Sequence, residues 1–150
     1  MAMVLCEVMD ASDELRNAQV RLFATDVNEE LLKQARLGEY SDPRIDAERL
    51  SRFFTSSSSK DLRASQRLRN MVMFGKHDVL RQTPYMNIDL LACRNIASAL
   101  TPEGRGFLFA TAHEALQDSG SDSGFLWLGT GEEVQRPATE AFRRIDNAAG

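Results

Sequence analysis

Asp89-Leu90-Leu91-Ala92-Cys93-Arg94-Asn95 is an apolar strand that runs directly into a polar Cys-Arg-Asn turn. Upstream, Leu22-Phe23-Ala24-Thr25-Asp26 repeats the pattern, with four mostly apolar residues and then a carboxylate. Two strands that each end in polar or charged residues are how an open α/β sheet builds a ligand crevice at its strand C-termini. The run Ile88 to Ala92 is nearly continuous in apolar character, which predicts a strand covered on both faces and hence a parallel sheet.

On either side of these stretches the chain alternates strands with helices. Met1 to Leu15 reads as a helix with Val4, Leu5 and Val8 on one face. Val20 to Thr25 is a strand, and Asp26-Val27-Asn28-Glu29-Glu30 then offers a cap and first-turn carboxylates for a helix through Leu37, which Gly38 ends. Asp42-Pro43 marks a turn, and Asp46 to Phe54 a second helix carrying Leu50, Phe53 and Phe54. Ser56 to Ser59 is a polar tract expected on the surface, and Met71 to Phe74 a short strand. Thr101-Pro102-Glu103 opens a helix that runs to about Gln117 with Phe107, Leu108 and Leu116 inward; Ser119 to Gly124 is a loop, and Phe125 to Leu128 a last strand. The alternation, with no internal repeat, predicts a parallel-dominated α/β sheet.

Composition narrows the function classes. One hundred and fifty residues, 43% hydrophobic, suit one domain with a real core. A net charge of −4 argues against a nucleic-acid surface, which needs a basic patch. Cys6 and Cys93 are too few and too far apart for a disulfide framework or a thiolate metal site, and imply a reducing cytoplasm. The N-terminal apolar run is interrupted by Glu7 and Asp10, so neither signal peptide nor membrane insertion is expected. His77 and His113 have no carboxylate spacing that completes a ligand set, so no metal is expected.

The strand-end residues, together with Asn28-Glu29-Glu30-Leu31-Leu32, Ala35-Arg36-Leu37-Gly38-Glu39-Tyr40, Arg52-Phe53-Phe54, Leu68-Arg69-Asn70-Met71-Val72-Met73-Phe74 and Phe125-Leu126-Trp127-Leu128-Gly129, follow one another in family order. The chain in this respect resembles the CheR-type chemotaxis receptor methyltransferases, which use S-adenosylmethionine to esterify receptor glutamates. The resemblance implies a Rossmann-like class I methyltransferase sheet with helices on both faces and a small hairpin insert at about 55–65. It also implies a glycine-rich cofactor loop ahead of Met1. The expectation is therefore a single, partial domain over 1–150, truncated relative to the family.

Within the resemblance, Asp26 is placed to accept hydrogen bonds from the ribose hydroxyls of the cofactor, and Arg94 and Asn95 to touch it from the second strand end. Taken alone, Asp26 reads as a cap or turn residue, Arg94 as a partner for a surface carboxylate and Asn95 as a helix cap. Asp78 and Val79 stand where the family has Asn-Leu, whose side-chain amide and backbone N–H address the adenine edge; an ionised aspartate has no donor, so Asp78 can serve only the exocyclic amine. Ala99 stands where the family has a tyrosine beside the reacting centre, so no catalytic residue is assigned. Cofactor binding is expected to be weak or lost. The tetraserine replaces the glycine-bearing turn of the insert that, in some members, pairs with a receptor tail peptide.

Two functions follow. One is a protein-glutamate O-methyltransferase domain of a chemotaxis or signalling system, truncated and impaired, with a chemoreceptor or other signalling protein as partner. The other is a non-catalytic scaffold of the same fold. A sheet lacking a strand exposes an edge, and self-association through it is expected.

Overall fold

The side chains of Asn28, Asp46 and Ser65 cap the starts of three helices in residues 1–77, the first of two compact units; the second is 78–150. The computed structural model describes residues 1–41, 44–57, 61–116, 118–119, 122–134 and 138–145. The Asp42-Pro43 turn, Ser58 and Ser59 of the tetraserine, and the helix limit at Gln117 lie outside them.

In the first unit, α1 (Ala2–Ala11) buries Cys6 completely and ends where Ser12 turns extended. It is shorter than the helix read to Leu15. Asp13 and Glu14 would place negative charge at a helix C-terminus, where the macrodipole disfavours it. Strand β1 (Leu22–Asp26) leads into α2 (Glu29–Leu37), whose cap is the Asn28 side chain accepting from the Glu30 and Leu31 N–H groups. Gly38 closes α2 with φ 67°, a left-handed position that glycine takes without strain.

A short strand β2 (Glu39–Tyr40), helix α3 (Ala47–Phe53) capped by Asp46, β3 (Phe54–Ser56), β4 (Leu62–Ala64) and α4 (Gln66–Met71) follow. The three strands form an antiparallel sheet in the order β2-β4-β3, so the expected hairpin is present and gains a third strand. Strand β5 (Val72–Lys76) then pairs in parallel with β1, from Leu22 opposite Val72 to Asp26 opposite Lys76. A parallel pair needs a long crossover, which the helices supply. Cys6, Phe53 and Leu68 make the core. Around it, Glu7 pairs with Arg49 and Asp10 with both Arg52 and Arg67, tying α1 to α3 and α4.

The second unit begins with a turn at Asp78. Strand β6 (Leu90–Cys93), a single 3₁₀ turn (Ala97–Ala99), helix α5 (Pro102–Ala115), the hairpin β7 (Asp118–Ser119) and β8 (Asp122–Ser123), and strand β9 (Phe125–Leu128) succeed one another. β6 and β9 are parallel, with Leu90 opposite Phe125 and Cys93 opposite Leu128. Cys93, Ala97, Leu108 and Phe109 are the buried centre.

Three expectations change here. The strand read at Ile88 to Ala92 starts later, and alternate residues on it are exposed: Leu90 and Ala92 face out on β6, Phe125 and Trp127 on β9. On α5 the inward residues are Leu108, Phe109, Thr111, Ala112 and Ala115, while Phe107 is half exposed, because apolar and polar residues are not sorted onto opposite faces of this helix and the pattern does not declare its buried side. The loop read at Ser119 to Gly124 contains the β7–β8 pairing. The α/β class and the parallel pairing of both principal strand pairs agree with the sequence.

Candidate functional site at the strand ends

Asp26 is the last residue of β1, and its Oδ1 accepts the Asn28 N–H at 2.8 Å. That bond fixes the carboxylate at the strand end and lets Asn28 cap α2, so the turn reading of Asp26 holds. His77 N–H donates to the Asp26 carbonyl at 3.1 Å and extends the ladder past Lys76.

Asp78 is absorbed by its own turn. Its Oδ1 accepts the Leu80 N–H at 3.0 Å, its N–H donates to Gln82 Oε1 at 2.7 Å, and Arg81 lies 3.7 Å from Oδ2. Val79 packs against the core around Leu108 and Phe109.

At the end of β6 the sequence Cys93-Arg94-Asn95 turns sharply. Asn95 has φ 60°, a left-handed position that few residues other than glycine adopt and that asparagine tolerates best. It does not cap a helix: the residue ahead of the 3₁₀ turn is Ile96, with no side-chain cap. Arg94 stacks its guanidinium over the Trp127 ring at 5.6 Å, a cation–π contact, rather than pairing with a carboxylate among the described residues.

The turn is held by a residue the sequence reading missed. Glu132 Oε2 accepts the N–H groups of Asn95 at 2.8 Å and Gly129 at 2.9 Å, and Oε1 accepts that of Ser98 at 3.1 Å. Burial acts to raise the Glu132 pKa, but the donors of Ser98, Asn95, Gly129 and Ala97 more than offset it, leaving the group below its ordinary 4.5. Burial, with the Glu132 charge beside it, pushes the Cys93 thiol up to about 11, so Cys93 is an unreactive core residue. The signal available in the sequence was Gly129-Thr130-Gly131-Glu132, a turn with a carboxylate three residues past the strand-ending glycine.

Ala99 is exposed at the end of the 3₁₀ turn. His113 meets Phe142 edge-on, and among the described residues no group of three or more His, Cys, Asp or Glu side chains could hold a metal. Two cavities of about 310 and 320 Å³, one in each unit, are lined by residues other than Asp26, Asp78, Val79, Arg94 and Asn95. The predicted site residues therefore fall into three places: the β1 end, the Asp78 turn and the Arg94–Asn95 turn.

Compared with known families, residues 1–149 match the one described as "CheR methyltransferase, SAM binding domain". The chain belongs to that family. This CheR domain is 28% identical over 130 residues to a "Chemotaxis protein methyltransferase" of Listeria innocua serovar 6a, and 26% identical over 130 residues to one of Listeria monocytogenes serovar 1/2a. Each alignment takes in 84% of the CheR domain and 47% of the relative, so the chain spans about half the length of these relatives. It is also 27% identical over 118 residues to an "Uncharacterized 104.1 kDa protein in hypE 3'region" of Rhodobacter capsulatus, across 12% of that protein. Among the described residues no helix is long and apolar enough to cross a membrane.

Proposed function

We propose that this CheR domain is the S-adenosylmethionine-binding part of a cytoplasmic protein-glutamate O-methyltransferase acting on a chemoreceptor or a related signalling protein. The observation that carries this is the left-handed turn at Asn95, held at the end of a parallel strand in a chain matching the CheR family over 1–149. In this reading Asp26 takes the ribose hydroxyls, and Arg94 and Asn95 give the second set of cofactor contacts. Bound S-adenosylmethionine supplies an activated methyl group. A glutamate carboxylate is already ionised near neutral pH, so the protein's part is to bind and align rather than to move a proton.

Affinity in the chain itself is weak on this reading, because the Asp78 carboxylate has no donor for the adenine edge and its Oδ1 already accepts the Leu80 N–H. Losing a few kcal/mol moves a micromolar ligand to about millimolar. A chemical-shift titration of the chain with S-adenosylmethionine is the test. Saturable shifts at Asp26, Arg94 and Asn95 that vanish in Asp26→Ala are expected, and no shift at any of the three would refute the assignment.

The second reading, a non-catalytic scaffold, is favoured by Ala99 at the position of the family's tyrosine. It is supported further by Phe23 and Met73 on one sheet, and Leu90, Phe125 and Trp127 on the other, all more than 40% exposed. Exposed apolar sheet faces and edges invite pairing with another chain. Light scattering that finds only monomers at high concentration would count against self-association.

A further inference from the structure

We propose that Glu132 is the positioning residue of the Arg94–Asn95 half-site, acting as a clamp that joins the turn after β6 to the turn after β9 and fixes where the Asn95 side chain stands.

The two strands already pair up to Cys93 and Leu128, and beyond that register the ladder stops. One carboxylate takes over. Its Oε2 bridges Asn95 N–H on one turn and Gly129 N–H on the other, while Oε1 reaches Ser98 N–H in the middle of the 3₁₀ turn. The Glu132 N–H donates to the Gly129 carbonyl at 3.0 Å, so the clamp is itself built on a tight turn. Three backbone donors on two adjacent strand ends converge on one ionised side chain, and charge-assisted bonds of this kind are roughly twice as strong as neutral ones.

Gly129 completes the device for a steric reason. A Cβ there would lie 2.7 Å from Glu132 Oε2, 2.8 Å from Asn95 Oδ1 and 3.2 Å from the Asn95 nitrogen. The side-chain oxygen of Asn95 thus sits directly over the glycine, in space that any larger residue would take. Asn95 is placed by two things together: its backbone is held left-handed through the N–H bond to Glu132, and its side chain lies over the bare Cα of Gly129. Neither Glu132 nor Gly129 needs to touch a ligand for this role.

The inference rests on reading Asn95 as a cofactor contact, and the test separates the two claims. In the unmodified chain, amide resonances of Asn95, Ser98 and Gly129 are expected to titrate together, with one midpoint below the ordinary glutamate value of 4.5. In the near-isosteric Glu132→Gln they stop titrating, and the Asn95 side-chain amide signals move. If Glu132→Gln fails to fold, Gly129→Ala keeps the carboxylate but displaces it, and the same three amides shift. Unchanged Asn95 backbone and side-chain signals in the folded variant would overturn the proposal whether or not the cofactor binds.

For binding, S-adenosylmethionine titrations of Glu132→Gln, Asn95→Ala and the double variant supply the second reading. Each single change is expected to weaken binding by about tenfold at most, and the double change no more than Asn95→Ala alone, since one acts through the other. Losses that multiply would show Glu132 acting independently of Asn95 and would overturn the positioning role. If no variant and no parent binds the cofactor, the cofactor assignment fails while the amide titration still decides the clamp.

Discussion

Asn95 is the residue at which backbone and ligand roles can be pulled apart. Its φ of 60° would favour asparagine or glycine even if the side chain touched nothing. Replacing it by alanine puts an ordinary L-residue into a left-handed position, which costs about 1 kcal/mol or somewhat more. Replacing it by glycine removes that strain, at the expense of about 0.5–1 kcal/mol of extra freedom in the unfolded chain, so stability should change little. Both variants keep the Asn95 N–H and its 2.8 Å bond to Glu132. Both lose the side-chain amide. If that amide contacts S-adenosylmethionine, the loss is a hydrogen bond worth about 0.5–1.5 kcal/mol, roughly a threefold to tenfold rise in Kd, equal in the two. Urea denaturation followed by the single tryptophan, Trp127 on β9, gives the stability arm, and chemical-shift titration gives the affinity arm. Glycine binding the cofactor as tightly as the parent would refute the contact and leave Asn95 with a purely conformational role.

Other perturbations test the frame around the site. Phe53→Ala empties a side chain that is 2% exposed and should cost about 3–5 kcal/mol, measured by urea denaturation with far-ultraviolet circular dichroism. Gly124→Ala puts a Cβ 2.8 Å from the Ile88 carbonyl and 3.0 Å from Leu116, and the resulting overpacking of about 1–3 kcal/mol outweighs the roughly 0.4–1 kcal/mol gained from a stiffer unfolded chain. The midpoint read from Trp127 fluorescence should fall. Hydrogen bonds from Arg67 and Arg52 hold the Asp10 carboxyl at about 2 against an ordinary 3.8. A depressed folded pKa stabilises above the unfolded value and is lost as pH falls through the folded one, so the Asp10 contribution should fade between 3.8 and about 2. Thermal melts across that range should show a shallower acid slope in Asp10→Asn.

How far the chain could be read in advance depended on the range of the interaction. Caps and stops are local, so Asn28, Gly38, Asp46 and Thr101 declared α2, α3 and α5 to within a residue or two. Strand ends were legible at Asp26 and Arg94 because an apolar run gave way to charge. Which side of α5 faced inward was not, since Phe107, Leu108 and Phe109 are adjacent and equally apolar and only tertiary packing chooses among them. Glu132 was missed for a different reason. Its partners Asn95 and Ser98 lie 37 and 34 residues away, so the Gly129-to-Glu132 turn could mark a carboxylate near a strand end but not the second turn it holds. The same applies to Arg94, which taken alone reads as a partner for a surface carboxylate and whose aromatic partner Trp127 comes from β9.

Those long-range contacts bear on what the strand ends can contribute to methyl transfer. If the proposed function holds, contacts from Asp26 or Asn95 to the adenosine part of the cofactor would be the same before and during transfer, and would lower the free energy of the bound ground state and of the transition state together. Rate at saturation would depend instead on holding sulfur, methyl and carboxylate oxygen in line, and the family resemblance places Ala99 next to that centre. A methyl side chain there has no hydrogen-bonding group with which to orient an attacking carboxylate. The clamp of Glu132 on the Arg94–Asn95 turn, and the bond from Asn28 to Asp26, keep two strand ends in fixed local shapes whatever residue 99 is. On the proposed function, cofactor recognition at Asp26 and Asn95 and alignment of the attacking carboxylate near residue 99 rest on different residues, so either can be lost without the other.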